Sequence, residues 1–285
     1  MQAAMSKILA AGLGALLALQ AHAQVQVPAQ EEPPLAPAPQ ASAPRPNFEG
    51  ALGLQINNSP EYQGSDRRKT SLKPGIYLRW GRYWVATASN FVTRRDDEVV
   101  RGVGAELVQR DDLRVQLGLR YDPGRKTSDS PDLEQLDDVR ATLRGRVSAS
   151  WRFRPDWQLG STWSADVLGR KTGSLVDLSL GHEIRLSPRT VWSLGTGLSW
   201  GDANYMIARF GISPAAAART GKAEYVPGSG LRDMSLSTQV RTDIDKRWSV
   251  WTQAGIGRLL GPARDSPLTK KPTQYGAGVG FAWRF

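Results

Sequence analysis

Gln274–Phe285 reads QYGAGVGFAWRF, and two chemistries alternate along it. Odd positions carry Tyr275, Ala277, Val279, Phe281, Trp283 and Phe285, while even positions carry Gly276, Gly278, Gly280, Ala282 and Arg284. A period of two is that of a β-strand, whose successive side chains point to opposite faces. Val139–Phe153 repeats the pattern with charge: Val139, Ala141, Leu143, Gly145, Val147, Ala149, Trp151 and Phe153 alternate with Arg140, Thr142, Arg144, Arg146, Ser148, Ser150 and Arg152. One face suits hydrocarbon; the other needs water or counter-charge.

The amino-terminal stretch narrows the solvent. Lys7, the apolar run Ile8–Leu19 and Ala21-His22-Ala23 have the form of a signal peptide cleaved before Gln24. The run is shorter than the roughly 20 residues of a membrane-spanning helix. Residues 24–47 contain seven prolines and almost no large apolar side chain, so they bury too little surface to offset ordering entropy. The expected organisation is a signal peptide at 1–23, a Pro-rich periplasmic tether at 24–47 and a folded unit at 48–285.

With no cysteine, the chain has neither disulfides nor thiolate metal sites. An exported protein that is polar on average, yet rich in two-faced strands, fits a transmembrane β-barrel, where only alternate residues meet lipid. Two-faced runs also lie at 48–57, 72–80, 83–91, 99–109, 113–121, 157–167, 174–187, 191–200, 231–244 and 248–260. The total is about twelve, an even number as single-chain bacterial barrels require. The fold expected is therefore all-β, an antiparallel up-and-down barrel in the cell outer membrane. Connections after the even-numbered strands are tight and most others are long, which assigns the tight ones to the periplasmic end. The short link around Gly169–Gly173 is the exception.

On this register Arg140, Arg144, Arg146, Asp166, Asp177, Glu183, Arg185, Asp233 and Arg241 face the lumen, where charges of both signs are expected to pair. The tight turns carry Arg82, Arg110, Arg154, Arg189, Lys246 and Arg247, a basic periplasmic rim joined by Arg284. Trp192 and Trp200 share one face eight residues apart, a spacing that suits two interfacial girdles.

Catalytic chemistry finds little support. The one histidine after residue 23, His182, has the lipid-facing parity of Leu178, Leu180 and Ile184, and the nearest serine sharing that face is Ser174, well along the strand. The glycines of Gly195–Gly197 and Gly276–Gly280 lie inside strands and make no phosphate cradle. The acid pairs Asp96-Asp97, Asp111-Asp112 and Asp137-Asp138 lack calcium-loop spacing. No cofactor or metal site and no enzyme activity are expected. A net charge of +10 in an exported barrel meets anionic lipid and murein rather than nucleic acid.

Three stretches carry a family resemblance: SPEYQGSDRRKTSLKP at Ser59–Pro74, LDDVRATLRGRVSASWRF at Leu136–Phe153, and GDANYMIARFGISPAAAARTGKAEY at Gly201–Tyr225. In them the chain resembles the MipA/OmpV outer-membrane proteins, named for an interaction with a lytic transglycosylase that cuts murein. The residues that match best are Pro60, Tyr62, Gly64, Ser65 and Asp66, then Gly201, Asp202, Tyr205, Phe210 and Gly211. The sequence departs from the pattern at Arg67-Arg68-Lys69, where an aromatic is expected, and at Arg140, where the family often has an acid. The resemblance implies a non-enzymatic scaffold linking a lytic transglycosylase and a murein synthase to the outer-membrane lipid. The alternative is a surface adhesin or small-solute pore acting through the long outer loops and the lumen.

The register is directly testable. Val147→Arg is expected to cost roughly 2–4 kcal/mol if Val147 meets lipid near mid-membrane, whereas Ser148→Arg, directed to the lumen, is expected to be mild. Heat-modifiable gel mobility of the two variants reads the difference, and equal effects would refute the register.

Overall fold

A computed structural model of the chain describes residues 48–88 and 101–285. The expected signal peptide and tether, the ends of the expected third and fourth strands (residues 89–91 and 99–100) and the link between them with Asp96-Asp97 lie outside the described residues. Twelve strands follow in chain order: β1 (Phe48–Pro60), β2 (Arg68–Trp80), β3 (Tyr83–Ala86), β4 (Gly102–Gln109), β5 (Leu113–Asp122), β6 (Thr142–Arg154), β7 (Trp157–Asp166), β8 (Ser174–Arg185), β9 (Thr190–Gly201), β10 (Gly230–Asp243), β11 (Trp248–Leu259) and β12 (Thr273–Arg284). Between β9 and β10 lie helices α1 (Ala203–Phe210) and α2 (Pro214–Thr220), and between β11 and β12 the single turn α3 (Gly261–Arg264).

Each strand pairs antiparallel with its sequence neighbours, and β12 pairs with β1, so the sheet closes. Closure follows from the solvent: a backbone polar group unpaired in hydrocarbon costs several kcal/mol, and a closed barrel leaves no edge. At the seam Gly50 N donates to Phe285 O (3.1 Å) and Phe285 N donates to Gly50 O (2.9 Å). Tight links join β2–β3, β4–β5, β6–β7, β8–β9 and β10–β11, while the long links and helices gather at the other end, the outer one by this asymmetry. The short outer link at 167–173 is real; Asp166 closes it by accepting from the backbone of Leu168 (3.1 Å) and Thr172 (3.1 Å).

Side chains sort as the period of two requires. Leu52, Ile56, Val147, Trp163, Val279 and Phe281 are exposed on the outside, while Ser148 and Thr162 share a hydrogen bond within (3.0 Å). One expectation needs correction. Arg140 stands exposed outside β6, which begins at Thr142. Val139 instead exchanges hydrogen bonds with Arg125 (3.2 and 2.9 Å), which draws residues 139–141 into the outer connection.

At the periplasmic end the lumen is packed with aromatics. Tyr77, Trp84 and Trp251 cluster with Ala51, Ala86 and Ala282, beside buried Arg79 set 3.8 Å from both Glu49 and Glu106. The small inward face of β12 has its reason here: a Cβ placed on Gly280 would stand 2.4 Å from the Trp251 ring. Gly280→Val is therefore expected to destabilise by about 1–3 kcal/mol through overpacking. Pairing it with Trp251→Leu should recover part of that loss in a urea unfolding series, and additive losses would count against the contact.

Candidate functional site

A folded cap packs on the outer ends of β8, β9 and β10, and its foundation is local. Asp202 caps α1, its Oδ1 accepting from Tyr205 N (2.7 Å) and its Oδ2 from Ser174 N (2.8 Å). Asp is a favoured N-cap because it satisfies a backbone donor that the first turn leaves orphaned. Ser213 does the same for α2 through Ala216 N (3.1 Å), with Pro214 following it. Met206 and Phe210 of α1 are fully buried against Leu259, Ala263 and Leu175.

Two clamps hold α1 to the wall, one at β5–β6 and one at β9–β10. On one side Asp122 of β5 accepts from Arg144 Nε of β6 (2.8 Å) and from Arg209 Nη2 of α1 (2.5 Å). Arg144 also donates to Thr172 O (2.8 Å) and Gly173 O (3.1 Å), and Arg209 to Gly124 O (3.1 Å). Across the mouth, Arg232 donates to Tyr205 Oη (2.8 Å), Ser199 Oγ (2.9 Å) and Asp233 (2.5 Å), and Ser199 donates to Asp177 (2.6 Å). The Tyr205 ring lies between the two clamps, 5.2 Å from the Arg144 guanidinium and 5.8 Å from that of Arg232. Charge-assisted bonds of this kind are the strong ones.

The second layer of the cap joins remote stretches. Tyr62 donates to Leu268 O (3.2 Å) and packs with Leu133, Leu136, Ile212, Ala216 and Leu268. Gly64 has φ +99°, and a Cβ there would approach Thr269 Cα to 2.9 Å; its carbonyl accepts from Lys271 N (2.9 Å). Ser65 is buried, its hydroxyl accepting from Arg67 N (3.0 Å), and Asp66 lies 3.9 Å from Lys270. Pro60 ends β1, Gly201 makes room for the Tyr205 ring, and Gly211 caps α1 by donating to Ile207 O (2.9 Å). The two resemblance stretches around residues 60 and 205 thus meet in one cap.

Beneath it lies a cavity of about 750 Å³ lined by Gln55, Asn57, Ser235, Ser237, Gln253 and Arg152, among others, and reaching the periplasmic turn at Pro155–Trp157. Of the charges expected in the lumen, Arg144, Asp177 and Asp233 serve the clamps, and Asp166 organises the short link while accepting from Thr142 (2.5 Å). Pairs join strand to strand, as Arg144 to Asp122 and Arg232 to Asp177 (3.8 Å), and Asp122 also joins the wall to the cap through Arg209. Arg146 has no carboxylate within 4.0 Å among the described residues, Arg241 is buried 4.0 Å from Asp243, and Glu183 and Arg185 are exposed near the periplasmic end. Arg82, Arg110, Arg154, Arg189, Lys246 and Arg247 are all exposed in the tight turns. Asp111, Asp112, Asp156 and Asp245 share those turns, so the rim is mixed in sign, and Arg284 is paired with Asp243 (2.6 Å).

Asp122, Arg209 and Arg232 were not among the expected site residues. Asp122 has the inward parity of Arg120 and was legible as such. Arg209 lies four residues after Tyr205 and so shares its helical face, but only once Asp202 is read as an N-cap. Arg232 reaches the lumen because the β9–β10 register shifts between Leu231 and Asp233, which turns adjacent residues 232 and 233 inward together. His182 faces outward, stacked on Trp157 (ring centroids 4.4 Å apart) with Nδ1 3.1 Å from Asp156 O, and no serine hydroxyl bonds to it among the described residues.

The family model described as MltA-interacting protein MipA matches residues 52–285. A comparison with curated proteins finds no match. Among solved structures, the NanC porin is 10% identical, with 81% of this chain and 98% of that one covered and a TM-score of 0.43. An outer membrane channel of Pseudomonas putida F1 is 11% identical, covering 88% and 100%, with a TM-score of 0.41. OmpT of Vibrio cholerae is 10% identical, covering 84% and 97%, with a TM-score of 0.38.

The cap has a pH signature. Burial, then Asp132 and Asp66, push the Tyr62 phenol from its ordinary value of 10.0 up to about 12. A proton acid with a raised folded value contributes stability that is whole below about pH 10 and lost as pH climbs towards 12. Alkaline difference spectra of wild type against Tyr62→Phe should show one tyrosine ionising near pH 12, accompanied by protease sensitivity of the outer loops. Ionisation of that residue near pH 10 would refute its place in the cap.

Proposed function

Because the chain belongs to the MipA family of outer-membrane barrels, we propose that it is a closed, non-enzymatic scaffold holding murein-remodelling enzymes at the periplasmic end of the barrel. The family description names an interaction with MltA, and a lytic transglycosylase together with a murein synthase are the partners this reading assigns. The observation that carries it is α1 fastened on both sides of the outer mouth through Asp122 and Arg232, which supports a barrel that does not conduct. The tight turns and the tether at 24–47 are then the parts left to meet a periplasmic partner. Since the rim mixes signs, recognition by shape and by local concentration through the tether outweighs simple charge attraction.

A second reading rests on the cavity of about 750 Å³, whose polar lining suits a small solute entering from the periplasmic side. Planar-bilayer recordings separate the two. Wild type is expected to show no stable unitary conductance, and Asp122→Asn, which leaves Arg144 and Arg209 without their shared carboxylate, is expected to produce flickering openings. A large, stable conductance from wild type would replace the scaffold by the pore. In parallel, in-cell crosslinking should recover a murein transglycosylase or synthase, and reversing the charges at Arg154, Arg189 and Arg247 should lower that recovery more than deleting 203–229 does. The opposite ranking would sink the periplasmic contact.

A further inference from the structure

The outside of the barrel carries a cluster that neither the cap nor the lumen uses. Pro60 ends β1, and carrying the seam register two pairs beyond Asn58↔Ala277 sets it opposite Tyr275. Proline has no N–H, so the Tyr275 carbonyl lacks the ladder donor that any other residue at position 60 would supply. Arg68 takes over that role: Nη1 donates to Tyr275 O (2.6 Å), while Nε and Nη2 donate to Asn58 Oδ1 (2.7 Å) and Asn58 O (3.2 Å). Its guanidinium is thereby fixed over the outward Tyr275 ring, 4.3 Å from the centroid, with Lys271 Nζ 5.8 Å from the same ring. Arg258 joins them from β11, paired in register with Thr273 and exposed on the same outward parity as Ile256.

None of these three cations has a carboxylate within 4.0 Å among the described residues. They stand at the outer end of strands β2, β12 and β11, directly above the lipid-facing Ile56, Leu72 and Val279. A cation next to hydrocarbon, at the level of an exposed aromatic, sits where the headgroups of the outer leaflet lie. That leaflet of an outer membrane is built from phosphorylated glycolipid. Arginine presents paired donors matched to phosphate, and lysine adds a mobile point charge.

We propose that Arg68 and Lys271 beside Tyr275, with Arg258 on the adjoining strand β11, form a binding site for the phosphate groups of the outer-leaflet glycolipid. The inference depends only on the barrel and its orientation, not on the scaffold reading. Arg68 is the preorganised member, because the backbone acceptors that hold it cost no ordering when lipid arrives. Arg258 and Lys271 close on the phosphate from the neighbouring strand and loop.

The test uses the full chain extracted from outer membranes in mild detergent, with co-purified glycolipid measured by phosphorus and fatty-acid assay. Arg258→Gln combined with Lys271→Gln leaves Arg68 on its backbone acceptors and so preserves the seam. At about fivefold per surface cation, this pair should weaken binding of glycolipid vesicles roughly 25-fold. Heat-modifiable mobility should stay unchanged, and Arg68→Gln should weaken binding in addition to loosening the seam. Dephosphorylated glycolipid should bind the wild type no better than the double variant binds the intact lipid. Unchanged glycolipid retention by the double variant, or equal binding of the dephosphorylated lipid, overturns the proposal. Competition by millimolar inorganic phosphate would reassign the site to free anion and overturn the lipid assignment.

Discussion

No water reaches the middle of a bilayer, so every backbone N–H and C=O there must find its partner in the protein. The chain meets this constraint by carrying its last strand back to its first, with Gly50 and Phe285 exchanging hydrogen bonds at the seam. Everything else in the molecule inherits from that closure. A closed wall has an inside and an outside, and the strand period assigns each residue to one of them. Polar side chains that would be prohibitively costly against lipid become anchors when they point inward. Where the ladder cannot be completed, as at Pro60, a side chain from the adjacent strand supplies the missing donor.

The two ends of the lumen are packed by different physics. At the periplasmic end, Trp84 and Trp251 fill space that small residues on neighbouring strands leave open, and the packing is apolar around one buried arginine between two glutamates. The outer end is closed by a helix that could not stand alone: α1 has eight residues, too short to hold its fold in water without tertiary contacts. Its stability comes from Met206 and Phe210 packed against α3 and from arginine clamps on both sides. Buried ion pairs of this kind add little net stability once desolvation is counted, but losing one partner strands the other charge. Such a cap is therefore held in one arrangement rather than tightly in many.

This division also separates the surfaces available for work. The cap lies at the outer end, the cavity reaches the periplasmic turn at Pro155–Trp157, and the lipid-facing wall carries girdle aromatics with a cationic cluster at its outer margin.

Much of the architecture was legible along the chain. Twelve strands fall on the runs that the alternation of residues such as Val139–Phe153 and Gln274–Phe285 marks, with β3 described as far as Ala86 of an expected 83–91, and the tight turns separate from most of the long links as expected. This is so because a strand's facing is a local property: each residue's direction follows from its neighbours two positions away. The site was less legible because its parts come from separate strands and a helix, Asp122 and Arg209 being 87 residues apart, and they are brought together only when the strands lie side by side. The long connection 202–229 looked like loop although Asp202 carries an N-cap signal, since nothing nearby in sequence reveals the wall that α1 buries against. Arg140 and Arg232 changed places relative to the alternation, the first drawn off its strand by pairing with the outer loop, the second turned inward by a bulge. The sequence by itself determined the barrel, its register and its orientation, because these rest on period and turn chemistry. Only the tertiary structure decided which residues fasten α1 to the wall, because that depends on distances between strands that the order of residues does not encode.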